Sequence, residues 1–127
     1  MTEPAPDWWA RAIADFGAGM GFPDAGGWNS RVLNLSVDGG AYLIDVERSG
    51  EQIVLAVLRR APLSELEEKA LALLRATGVE QYHPFLLQFG LKGDNVLVLA
   101  ARIERSEAFR MVEAFELIRR LFADVGL

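Results

Sequence analysis

Any chemistry must come from a short list of side chains. The 127 residues hold a single histidine, His83, and no cysteine, so a thiolate metal site and a disulfide are both excluded. His83 stands directly before Pro84 with no patterned carboxylates around it, which points to a structural or surface role rather than to a ligand or a base. Gly17, Gly19 and Gly21 have a spacing seen in nucleotide loops, but they follow a helical pattern and lead into a loop. A phosphate loop needs a strand before it and a helix N-terminus after it, so these glycines read as a helix stop. Glu65, Glu67 and Glu68 fall in the first turn of a helical segment, where negative charge complements the macrodipole; acid–base work would need a pocket around them. Ser36, Ser49 and Ser106 have no neighbouring base and no nucleophile-elbow context, and Lys92-Gly93-Asp94 reads as a hairpin turn. The expectation is a protein that is not an enzyme and uses no cofactor or metal.

The elements around these residues are easier to read. Apolar residues alternate at Leu33, Leu35 and Val37, at Tyr42, Ile44 and Val46, and at Ile53, Leu55 and Val57. That period marks strands with one buried face. Asp38-Gly39-Gly40 and Ser49-Gly50 supply the turns between them, so residues 30–60 form an antiparallel meander. Before it, Asp7 can cap a helix carrying Trp9, Ile13, Phe16 and Met20, which stops in the glycine run; residues 23–27 are a loop and Trp28 opens the strand region. After it, Ser64 and Glu67 match a capping box for a second helix running to Ala76, with Gly78 as its C-terminal cap. Residues 82–91 read as a fourth strand and 95–104 as a fifth, which is apolar on both faces and therefore belongs inside the sheet. A last helix starts near Glu107, with Ser106 as its cap and Met111, Phe115, Ile118, Phe122 and Val125 as its stripe. The order predicts an α+β fold: a five-stranded antiparallel sheet with three helices, α-β-β-β-α-β-β-α, as one domain over 1–127 with 1–6 as a loose lead-in.

Charge and hydropathy narrow the partners. Thirteen Lys and Arg against eighteen Asp and Glu give a formal charge of −5, which repels phosphate backbones, and no basic stripe offsets it, so nucleic acid is not expected. No apolar run reaches the roughly 18–20 residues of a membrane span. The opening Met1-Thr2-Glu3-Pro4 lacks the basic and apolar regions of a secretory signal, so a cytoplasmic protein is expected. Hydrophobic residues make up 51% of the chain, high enough to suggest surface meant for another chain. The second face of the meander carries Val32, Leu43, Val54, Ala56 and Leu58 where a singly buried sheet would be polar. In the second helix, Leu66, Ala70, Leu71, Leu73 and Leu74 span a wider arc than one core contact needs, leaving one side for a second subunit.

Taken in order, several stretches resemble the class I chaperones of bacterial type III secretion, the Tir chaperone family. They are Phe16-Gly17-x-x-Met20-Gly21-Phe22-Pro23, the strand with Ile44-Asp45, the Pro62-Leu63 break before a leucine-rich helix, Phe89-Gly90-Leu91, and the aromatic-rich last helix. The resemblance implies a homodimer that binds an extended N-terminal segment of a secreted effector protein and keeps it soluble and export-competent without ATP. It further implies a dimer contact through the second helix and neighbouring strands. By the same resemblance, the effector would meet Trp9, Ile13 and Phe16 of the first helix and Leu33, Leu35 and Tyr42 of the sheet. Two other readings fit the residues: a non-secretion interaction or regulatory module of the same architecture, and a small ligand-binding domain or enzyme with a pocket between sheet and helices.

Overall fold

A computed structural model describes residues 6–22, 32–78 and 81–127, giving the backbone alone at Val32 and Leu33. The lead-in up to residue 5, the loop over 23–27 and the strand opening at Trp28 lie outside the described residues. The elements run α1 (Asp7–Gly19), β1 (Val32–Val37), β2 (Tyr42–Ser49), β3 (Gln52–Arg60), α2 (Leu66–Ala76), β4 (Leu86–Lys92), β5 (Val96–Glu104) and α3 (Met111–Asp124). This is the expected α+β order. All five strands join one antiparallel sheet in the order β1-β2-β3-β5-β4, and β5 lies inside it, between β3 and β4.

The glycine run of α1 acts structurally. The Gly21 N–H bonds the Ala18 carbonyl at 3.1 Å and the Phe22 N–H reaches back to the Gly17 carbonyl at 2.8 Å, with Gly21 at φ 85°. This is the Schellman stop, in which a left-handed residue satisfies the last carbonyls of the helix. Gly19 has a separate reason: a Cβ there would lie 2.8 Å from Cγ2 of Val112, so α1 and α3 approach too closely for a side chain.

Several helix and strand ends differ from expectation. Asp7 is the first residue of α1 and makes no side-chain cap; Pro6 precedes it, and the Trp9 and Ala10 N–H groups bond the Pro6 carbonyl. The capping box of Ser64 and Glu67 does not form either. A 3₁₀ turn over Leu63–Glu65 takes the first hydrogen bond, Glu65 N–H to Pro62 carbonyl, and moves the start of α2 beyond Ser64. Thr77, not Gly78, caps the other end, its N–H and its hydroxyl both bonding the Leu73 carbonyl at 3.0 Å. Likewise, 3₁₀ geometry over Arg105–Arg110 replaces the Ser106 cap before α3. The fourth strand begins at Leu86 rather than at Tyr82, because His83 is turned to the end of α2, its Nε2 2.7 Å from the Ala76 carbonyl, and Pro84 has no N–H for a ladder.

One face of the sheet carries the core. Leu35, Tyr42, Ile44, Val46, Ile53, Leu55, Val57, Leu97, Leu99, Ala101 and Ile103 are buried there under α1 and α3, and Leu73 is the fully buried residue of α2. Tyr42 meets Phe115 edge-on at 6.3 Å, and α3 supplies Met111, Ala114, Ile118 and Phe122 to the same layer.

Candidate partner-binding surface

The structure places the residues named for effector contact inside this core. Trp9 and Ile13 are fully buried, Phe16, Leu35 and Tyr42 nearly so, and the Leu33 side chain lies outside the described residues. Hydrophobic spacing alone does not separate a core stripe from a docking stripe. Here α1 and α3 cover this face, and a partner could reach it only by displacing them. Trp8 is half-buried beside Trp9, at 6.2 Å edge-on, with the Arg105 guanidinium 5.3 Å from its ring centre.

Among the described residues, the opposite face of the sheet is apolar and carries no helix. Strand register lays it out in rows across the strands: Ser36, Leu43, Leu58, Val98 and Gly90; then Asn34, Asp45, Ala56, Ala100 and Gln88; then Glu47, Val54, Arg102 and Leu86. Leu58 at its centre is only 6% exposed yet stands apart from the main core cluster. Toward the margins Leu43 is 47% and Leu86 70% exposed. An antiparallel sheet with one solvated face normally turns polar residues outward; this one keeps aliphatic residues along the middle of β3 and β5. At the margin, β4 pairs with β5, and its other side has no strand partner among the described residues.

The outer side of α2 adds a second apolar area. Of the five residues named for a dimer contact, Leu73 is fully buried, Leu66 and Ala70 are half-buried against the core, and Leu71 and Leu74 are 46% and 49% exposed. Leu63, in the preceding turn, is 70% exposed, a residue the helical periodicity did not single out because it lies ahead of the helix. The arc therefore divides as its width implied, one side on the core and one side free. Lys69 holds α2 in place, its Nζ donating to the Val125 carbonyl at the end of α3.

Among the described residues, no three His, Cys, Asp or Glu side chains gather as metal ligands would, and no helix is long and apolar enough to cross a membrane. The marked electrostatic feature is structural: Arg110 forks onto Glu113 at 2.8 and 3.0 Å, reaches Glu107 at 3.2 Å, and lies 4.6 Å from the centre of the Phe85 ring. Its hydrogen bonds hold the Glu113 carboxyl below the usual range, against a smaller opposing effect of desolvation, and raise the Arg110 guanidinium further still. No family model matches the chain and no curated protein matches it.

Proposed function

We propose that this protein is a secretion chaperone of the class I type: a cytoplasmic homodimer that holds an extended N-terminal segment of an effector protein, without ATP. The observation that carries the reading is the sheet face that no described helix covers, with Leu43, Leu58, Val98 and Leu86 on it and the exposed leucines of α2 beyond the core. The element order agrees with it. An extended chain places alternate side chains in apolar depressions and can add its main chain to a free strand edge such as that of β4. Apolar burial at roughly 25 cal/mol per Å² then offsets the cost of ordering the segment. The surface best suited to the segment is the open face, rather than the one under α1 and α3.

The test is co-expression with the N-terminal segment of a neighbouring gene's secreted product, followed by limited proteolysis and light scattering. The expected result is a dimer that protects one extended stretch with no nucleotide added. A monomer that protects nothing overturns the proposal, and protection of a folded partner alone favours the interaction-module reading.

A further inference from the structure

One end of the open sheet face forms a cleft of about 540 Å³, with Leu43, Leu58 and Val96 as apolar walls and Arg60 and Lys92 as its cations. No carboxylate lines it, in a chain whose formal charge is −5. The carboxylates of the same face stand away from it: Asp45 and Glu47 are two and four residues along β2 from Leu43, and Glu104 pairs with Gln52 at the far end of β5 from Val96. Register explains the clustering. Arg60 and Lys92 both pair with Val96 in β5, from either side, so they flank it in one row. Their backbones are about 10 Å apart by strand spacing, a gap that two long side chains can close over one carboxylate. Neither is ion-paired among the described residues, whereas Lys69, Arg105, Arg110 and Arg119 each have a carboxylate partner. Arg59 is fixed at the margin, donating to the Ala41 carbonyl at 2.9 Å with its guanidinium 4.5 Å from the Tyr42 ring centre.

We infer that this cleft selects the bound segment by charge: it takes a stretch in which an aspartate or glutamate lies beside aliphatic residues. This rests on the chaperone reading and adds to it what the segment must contain. The aliphatic side chains fill the floor over Leu58, and the carboxylate sits between Arg60 and Lys92. Charge complementarity of this kind contributes more to selection and register than to total affinity.

The test uses the full chain and three short labelled peptides that alternate leucine with aspartate, with asparagine or with lysine, followed by fluorescence anisotropy at low salt. The aspartate peptide is expected to bind at least about tenfold tighter than the lysine peptide, equivalent to about 1.4 kcal/mol. Added salt should narrow that gap. Arg60→Glu/Lys92→Glu should reverse the order, and Arg60→Gln/Lys92→Gln should erase it while leaving the circular dichroism spectrum unchanged. Equal binding of all three peptides overturns the charge inference and leaves the chaperone reading intact. Binding of none overturns both. Two further results also overturn the inference: a dimer constant that shifts with the charge variants while no peptide competes, which assigns the cleft to a second copy, and binding of decanoate but not of peptide, which assigns it to a small amphiphile.

Discussion

Replacing Leu71 and Leu74 by glutamine tests whether the free side of α2 joins two subunits. Both are about half exposed. Fully burying a leucine is worth about 1.5–3 kcal/mol, so a two-fold contact covering the four copies yields about 3–6 kcal/mol. Association itself costs roughly 4–15 kcal/mol, so these residues do not hold a dimer alone; Leu63 and part of the sheet must contribute. Removing them should raise the dimer dissociation constant about 10²- to 10⁴-fold. Glutamine keeps helix propensity close to that of leucine, so the isolated subunit should change by no more than about 0.5 kcal/mol per site. Sedimentation equilibrium across a dilution series measures the first quantity, and urea unfolding under monomeric conditions measures the second. A double variant that dimerises as tightly as the wild type refutes the assignment of α2. A wild type that stays monomeric at the highest concentration refutes the dimer.

Three further outcomes are expected. Leu55→Ala, in the helix-covered core, should cost about 2–5 kcal/mol in urea unfolding, while Leu58→Ala, on the open face, should cost under about 2 kcal/mol. Lys69→Met should cost about 1–3 kcal/mol by removing the bond to the Val125 carbonyl, and hydrogen exchange should quicken along α2. Glu113 has a lowered folded pKa because of Arg110, so its stabilisation is complete above the ordinary value near 4.3 and is lost as pH falls through the folded value. Glu113→Gln should therefore be less stable than wild type at neutral pH and equal to it in strong acid, measured as urea midpoints across the range; a pH-independent difference would contradict the coupling.

The strands were legible because each obeys a local rule. Alternation in Tyr42, Ile44 and Val46 matches a burial pattern that alternates along β2, and the double-faced character of β5 predicted an interior strand. The helix starts were less legible. Serine and glutamate at positions 64 and 67 have the chemistry of a capping box, but a 3₁₀ turn after Pro62 satisfied the first backbone donor before the box could form. Arg110 shows the same kind of limit: its two glutamates, three residues to either side, are visible in the sequence, but its stacking on Phe85 joins the 3₁₀ turn before α3 to the residue ahead of β4.

The sequence by itself determined the order of elements, the interior place of β5 and the two-sided character of α2, because all of these follow from periodicity and turn residues. Only the tertiary structure decided which apolar face is core. Trp9, Ile13, Phe16, Leu35 and Tyr42 are as apolar as a docking stripe, and α1 and α3 buried them together. Leu43, Val54, Ala56 and Leu58, spaced just as regularly, fell on the side that no described helix covers, beside Arg60 and Lys92 from separate strands. Alternation fixes that a strand has two faces; the packing of elements distant in the chain decides which one meets water.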